Sequence, residues 1–207
     1  MAKTILASNN QDAINLYGKY ADDLVCVKSD AKGSAANYSS WKGGVTMNVA
    51  NVAAGSSYET PFQVAFHEFG HMIDDLATPG KPYYLSNTEV NGKRLLDVIK
   101  EDFKAFKKSI GAKNNDELLM MLKAEPMAKD GKICGNISDI LEKCTGKSYP
   151  LGIGHGISYH RREGATEREF FAEVLDSSIA NKPAYEQMKR LFPNAVDMVW
   201  TMIKGVL

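Results

Sequence analysis

The stretch His67-Glu68-Phe69-Gly70-His71 is an H-E-x-x-H motif, in a segment whose apolar residues recur at helical spacing. Residues four apart share one face of a helix, so His67 and His71 are predicted to project side by side, one turn apart. Two imidazoles at this spacing are typical ligands of one Zn²⁺, and the glutamate beside the first is typical of a general base acting on water. The motif therefore predicts a zinc-binding helix with His67 and His71 as ligands and Glu68 as the base.

The same helix can also be interpreted as an ordinary surface helix that binds no metal. Its apolar stripe consists of Phe62, Ala65, Phe66, Phe69, Ile73 and Leu76. His67 and His71 lie nearly opposite this stripe, where an ordinary solvated face would also carry polar side chains. Histidine is scarce, however, with four among 207 residues, and two of the four stand at ligand spacing. This scarcity favours metal binding over coincidence.

Length and composition predict one globular domain, residues 1–207, which can be a piece of a longer protein. The balance of 25 basic and 25 acidic residues argues against nucleic acid or an anionic membrane surface as a partner. Three cysteines make a disulfide framework unexpected and fit a reducing compartment. Cys134, Cys144 and His155 lack tight metal-ligand spacing, so the two cysteines are predicted to be buried free thiols. No signal peptide and no apolar run long enough to span a membrane is recognisable.

Secondary structure is predicted from periodicity and from capping and turn residues. The motif helix is expected to start with Thr60 as N-cap and Pro61 at the first helical position. Helices are predicted over residues 11–22, 61–77, 89–110, 115–124, 138–144, 166–180, 183–192 and 194–206, strands over 24–27 and 45–49, and irregular segments over 28–42, 81–88 and 145–165. The pattern indicates many helices and two or three strands.

The segment from Thr166 to Asp176 is the best source of a third metal ligand. A helix here places Glu169, Glu173 and Asp176 on one face and packs through the opposite, apolar face. Glu169 is then a candidate zinc ligand, and Glu173, one turn later, a candidate for orienting a liganding imidazole. The alternative is a capping box in which Glu169, paired with Thr166, only satisfies a backbone N–H at the helix start.

Together, the H-E-x-x-H motif and the run Glu169-Phe170-Phe171-Ala172-Glu173 resemble the zincin peptidase group of the anthrax lethal factor catalytic domain and the Pro-Pro endopeptidases. They also resemble a zincin-like domain of phage head morphogenesis, or minor head, proteins. The resemblance covers the chain from about residue 24 to its end. It implies an α+β, zincin-like fold that is mainly helical, with a small mixed sheet beside the H-E-x-x-H helix. It also implies Glu169 as third ligand, Glu173 as its supporting residue and Glu68 as base.

The chain departs from this group at one position. The group has a tyrosine seven residues before the liganding glutamate, where it helps to stabilise the oxyanion, and here that position is Arg162. The nearest tyrosine is Tyr159, ten residues before Glu169. An insertion at residues 162–165 would let Tyr159 take the role, and His160 or Arg162 are the alternatives.

The resulting hypothesis is a zinc-dependent metalloendopeptidase of the gluzincin type, acting on a polypeptide substrate. Strand 45–49, just before the motif helix, is expected to be the edge strand along which an extended substrate pairs. The second hypothesis is a catalytically silent phage or prophage structural domain in which zinc stabilises the fold. A cytoplasmic or virion-associated location is expected in either case.

Overall fold

The computed structural model describes residues 1–30 and 36–207, and these form ten α-helices and five short strands. The predicted class, α+β and mainly helical with a small mixed sheet, is confirmed. The helices are α1 Ala2–Ala7, α2 Gln11–Lys19, α3 Val49–Ala54, α4 Gln63–Leu76, α5 Leu95–Ser109, α6 Asn115–Ala124, α7 Gly131–Thr145, α8 Ala165–Ala180, α9 Lys182–Leu191 and α10 Pro193–Lys204. The strands are β1 Cys26–Lys28, β2 Ala36–Ser39, β3 Gly44–Met47, β4 Glu89–Val90 and β5 Lys93–Arg94.

Helix α8 occupies the centre of the molecule. It packs against α1, α2, α4, α5, α7, α9 and α10, so it is buried on almost every side, including its acidic face. Phe170 and Phe171 are completely buried and contribute to the core. Its most extensive partner is α4, and the two backbones come close where Gly70 faces Ala172. A methyl group at Gly70 would lie 3.2 Å from the Ala172 Cα, so glycine permits this approach.

The three-stranded sheet lies beside α4 and has the order β1-β3-β2. β3 is parallel to β1, with Val45 opposite Cys26, and antiparallel to β2, with Val45 also opposite Tyr38. The prediction that strand 45–49 is an edge strand is therefore wrong, because β3 is paired on both sides. The edge strand that packs on α4 is β2, within the segment predicted as a loop, 28–42. The part of that loop at residues 31–35 lies outside the described residues.

The N-caps of α4 and α8, the two helices that carry the candidate ligands, are not the threonines that the sequence offers. Thr60 does not cap α4: its hydroxyl donates to the Ala180 carbonyl at 2.9 Å, and α4 follows Phe62, which adopts a left-handed conformation. At α8 the N-cap is Gly164 and no side chain caps the helix. Thr166 already lies within α8, so the capping-box alternative for Glu169 is excluded.

The bounds of other secondary-structure elements also differ from the predicted ones. The predicted helix 89–110 begins only at Leu95, because Asn91 and Gly92, both with positive φ, turn a small hairpin between β4 and β5. The short helices α1 and α3 are not predicted from the sequence, and α7, which contains the predicted helical stretch 138–144, extends from Gly131 to Thr145. All three cysteines are free; Cys134 is buried, Cys144 is half-buried and Cys26 is exposed. Within residues 1–30 and 36–207, no helix is both long and apolar enough to traverse a bilayer.

Candidate metal centre

The two halves of the predicted site meet where α4 crosses α8. Nε2 of His67 lies 3.3 Å from Oε2 of Glu169, and Nε2 of His71 lies 3.6 Å from Oε1 of the same carboxylate. The two imidazole rings are perpendicular, with centroids 4.7 Å apart. One ligand atom from each of the three residues falls within 4.8 Å of the others. Helices almost 90 positions apart in the chain thus bring together all three predicted ligands.

This arrangement fits a zinc ion. Ligands at about 2.0–2.1 Å from a tetrahedral Zn²⁺ are about 3.3–3.4 Å from one another, which is close to both nitrogen–oxygen separations. Oε2 of Glu169 is fully buried and has no hydrogen-bond partner among the described residues. An unsatisfied buried acceptor costs about 1–3 kcal/mol, and more when it is charged. A cation held by these three side chains would satisfy that oxygen.

The pKa shifts in the cluster fit a positive charge beside Glu169. Burial opposes ionisation of Glu169, but the adjacent His71 and His67 hold its pKa well below the usual range. Burial likewise opposes protonation of His67, but the hydrogen bond to Asp176 and the contact with Glu169 hold its pKa well above the usual value. The buried carboxylate is therefore compatible with a charged imidazole or a metal ion beside it.

The other ring nitrogen of His67 faces the acidic side of α8. Its Nδ1 lies 3.0 Å from Oδ2 of Asp176 and 3.7 Å from Oε1 of Glu173. Sequence reasoning assigned this orienting role to Glu173, whereas the structure brings Asp176 closer. Asn136 of α7 donates to both carboxylates, at 2.8 Å to Oδ1 of Asp176, and Gln63 also donates to Asp176, at 3.4 Å. A hydrogen bond such as that between Nδ1 of His67 and Asp176 fixes the tautomer and direction of a liganding imidazole.

Glu68 lies on α4, directly after the proposed ligand His67. Its Oε2 accepts a hydrogen bond of 2.7 Å from the backbone N–H of Tyr38, on strand β2. The Tyr38 hydroxyl donates to Oδ2 of Asp75 at 2.5 Å, so Tyr38 links β2 to α4 at two points. Glu68 and His67 both line a cavity of about 340 Å³, together with residues of β2, α7 and α8. The carboxylate is thus held at the wall of a space large enough for part of a substrate.

The Tyr159 hydroxyl reaches the same centre from a different element. Tyr159 lies in a 3-10 turn, Tyr159–Arg161, and donates a hydrogen bond to Oε1 of Glu169. Its ring stacks on His155 with centroids 4.4 Å apart, and the guanidinium of Arg162 lies 4.7 Å from its centroid. Burial and the neighbouring Glu169 charge raise the pKa of Tyr159, so the hydroxyl keeps its proton and remains a donor.

The two alternatives to Tyr159 are placed elsewhere. Arg162 covers the tyrosine ring rather than facing Glu169. His160 is completely buried and lies near Asp139 and Glu142 of α7 rather than near Glu169; Asp139 itself has a ligand atom within 4.8 Å of one of Glu169. Sequence reasoning did not identify these two acids or Asn136. The available signal was the three-residue spacing of Asp139 and Glu142, which places them on one helix face.

Comparisons with known proteins identify no relative of this chain: no family model, curated protein or solved structure matches it.

Proposed function

We propose that this protein is a zinc-dependent metalloendopeptidase of the gluzincin type, built on a zincin-like fold. The observation that carries the proposal is the convergence of His67, His71 and Glu169 around a buried, unpartnered carboxylate oxygen. Two imidazoles and one carboxylate are the ligand set of a hydrolytic zinc site, in which a fourth position takes water or substrate. Zn²⁺ bound there supplies the Lewis acid that polarises a carbonyl and acidifies water.

Glu68 and Tyr159 supply the proton chemistry beside the ion. Glu68 accepts a proton from the attacking water and delivers it to the leaving amine, and the Tyr38 N–H keeps its carboxylate in place. Tyr159 stays protonated, so its hydroxyl is available to donate a hydrogen bond to the developing oxyanion. The stacking of its ring on His155 and the contact of the ring with Arg162 limit the directions in which that hydroxyl can point.

The substrate class follows from the cavity and from the strand beside it. An extended peptide can add to an exposed sheet edge through backbone hydrogen bonds. Since β3 is interior, the candidate edge is β2, whose first residue, Ala36, lines the cavity with His67 and Glu68. The Tyr38 N–H of this strand is already bonded to Glu68, so a peptide can pair only at the Ala36 end. A peptide held there lies beside the proposed metal centre, which favours an endopeptidase over an enzyme for small substrates.

Glu68→Gln tests the proposal. The substitution keeps the size of the side chain but removes the base, so we expect the wild type to cleave members of a peptide library. The variant should lose activity by at least about 100-fold while binding zinc normally. Glu101→Gln, on an exposed part of α5, is the matched control and should retain full activity.

The outcome also separates the two hypotheses formed from the sequence. Absence of cleavage by the wild type, with zinc bound and the library broad, would refute the peptidase and favour a structural domain that uses zinc for stability. Equal cleavage by wild type and Glu68→Gln would show that the activity arises elsewhere. The absence of a tyrosine seven residues before Glu169 favours the structural hypothesis. The hydrogen bond from Tyr159 to Glu169 weakens that argument.

A further inference from the structure

A second buried cluster contains Asp139, Glu142 and His160. Asp139 and Glu142 lie on α7, one and two helical turns after Asn136, which contacts the first centre. We call Asp139, Glu142 and His160 the α7 cluster. The side chains of Glu142 and His160 are completely buried, and that of Asp139 is almost so. Two carboxylates and one imidazole are thus enclosed together in the protein interior. Burying such groups is unfavourable unless each one has a partner.

Two atoms of the α7 cluster have no such partner. Oε2 of Glu142 and Nε2 of His160 are buried and make no hydrogen bond to any residue that the structure describes. They lie 3.5 Å apart, and Nε2 of His160 is also 3.4 Å from Oδ1 of Asp139. These separations are long for charge-assisted hydrogen bonds but match the about 3.3–3.4 Å between ligands of one tetrahedral zinc ion. One ligand atom from each residue lies within 4.8 Å of the others.

The other polar atoms of these three side chains make hydrogen bonds to surrounding residues, as ligand side chains in metal sites usually do. Oε1 of Glu142 accepts the N–H of Tyr149 at 2.7 Å, which leaves Oε2 directed at the cluster. Asp139 accepts the N–H of His155 at 2.8 Å and pairs with its Nδ1 at 2.9 Å. Nδ1 of His160 lies 3.2 Å from the hydroxyl of Thr166. Second contacts of this kind orient a ligand and set the imidazole tautomer.

Apart from His160 itself, the nearest basic side chains, Lys143 and His155, are engaged elsewhere and do not pair with the unpartnered oxygen of Glu142. Lys143 donates to the backbone carbonyl of His160 at 2.7 Å. His155 pairs with Asp139 through Nδ1 at 2.9 Å. A bound cation would supply the missing positive charge.

We infer that the α7 cluster is a second, structural site for a divalent transition-metal ion such as Zn²⁺, with Asp139, Glu142 and His160 as ligands. This ion would join α7 to the 3-10 turn that carries both His160 and Tyr159. Its function would be to hold that turn in place. The inference does not depend on the proposed peptidase activity, because it rests on different ligands and is tested by metal content alone.

The test removes the first site and counts the ions that remain. His67→Ala/His71→Ala protein is saturated with Zn²⁺ and dialysed, and the zinc per chain is then measured by mass spectrometry. We expect about two ions for the wild type, about one for the double variant and close to none when Glu142→Gln is added. Adding Glu101→Gln instead is the control and should leave the single ion bound.

Two results would overturn the inference. One is a double variant that folds but retains no zinc. The other is a retained ion that Glu142→Gln does not release. Should the triple variant fail to fold, X-ray absorption of the zinc in the double variant decides the question. A shell with one imidazole and oxygen ligands that persists when Glu169→Ala is added supports the α7 cluster, because this addition removes the alternative group of Asp139, His155 and Glu169. Several imidazoles, any sulfur ligand or loss of the ion with Glu169→Ala would refute it.

Discussion

At the scale of single residues, the candidate centre is defined by how far each acidic side chain of α8 lies from His67. Glu169 faces Nε2, and Asp176 is the nearest carboxylate to Nδ1. Glu173 is further from that nitrogen, and burial together with the adjacent Asp176 raises its pKa well above the usual range. Three carboxylates on one helix face therefore have different expected effects on zinc affinity.

We predict a graded loss of zinc affinity in three variants. Glu169→Ala should weaken binding most, by more than about 100-fold, because it removes a ligand. Asp176→Asn should weaken it by about 10–100-fold, since the imidazole loses the charge that orients it. Glu173→Gln should have the smallest effect. Competition with a chelator, in a Glu142→Gln background, measures this centre alone, and equal effects of Asp176→Asn and Glu173→Gln would contradict the assignment.

Tyr159→Phe tests the role of the hydroxyl that reaches Glu169. We expect kcat on a cleaved peptide to fall by about 10²–10³-fold, the usual effect of losing one oxyanion donor. Zinc content should stay unchanged, because the hydroxyl is not one of the proposed ligands. Tyr83→Phe, at a tyrosine with a largely exposed side chain, is the control. A variant that keeps wild-type kcat would show that Tyr159 serves only to position Glu169.

At the scale of elements, the spacing of α4 and α8 sets the distances among the three proposed ligands. The helices approach closely because Gly70 has no side chain where Ala172 lies opposite. Gly70 lies between the two liganding histidines, so any change in spacing there moves both imidazoles relative to Glu169. Interiors are packed densely, so a larger side chain cannot be absorbed locally.

We therefore predict that Gly70→Leu reduces both stability and zinc affinity. Overpacking of this kind costs about 1–3 kcal/mol, and separation of the helices should weaken zinc binding by at least about 10-fold. Gly18→Ala is the matched helical control, since an added methyl there meets no described atom within 4 Å. It should stabilise α2 by up to about 1 kcal/mol. Thermal unfolding and chelator competition measure the two effects, and unchanged zinc affinity in Gly70→Leu would argue against this coupling.

At the scale of the whole molecule, α8 connects the metal centre to the core. It carries Glu169 on one side and the buried Phe170 and Phe171 on others, and most remaining helices pack on it. Metal binding and folding should therefore be coupled, because the ligands come from helices that converge only in the folded chain.

Removal of zinc should lower the melting temperature. A ligand present at 100 times its Kd stabilises the native state by about 2.7 kcal/mol. For a chain of this size that corresponds to a shift of roughly 5–10 °C between zinc-saturated and chelated protein. Glu169→Ala should show a smaller shift, and the shift that it retains is attributed to the α7 cluster. Identical shifts in wild type and Glu169→Ala would show that the centre between α4 and α8 does not contribute.

The elements that sequence reasoning predicted well are those specified by local patterns. The helical spacing of His67 and His71, the apolar face of α4 and the acidic face of α8 follow from residues a few positions apart. The extents of these two helices were also predicted to within two residues, but their caps were not, because Thr60 and Thr166, which look like caps, bond instead to Ala180 and His160. Strand β2 was missed for a similar reason, since its pairing with β3 and its contact with Glu68 are both non-local.

By itself, the sequence determined the two helices that carry the candidate ligands and the side of each that bears them, because i, i+4 periodicity is a property of the local backbone. Only the tertiary structure decided that Asp176 is closest to His67, that Tyr159 rather than Arg162 reaches Glu169, and that His160 joins Asp139 and Glu142. These outcomes depend on the distance and angle between elements far apart in the chain. Close packing of the core sets that distance and angle, and no short stretch of residues contains this information.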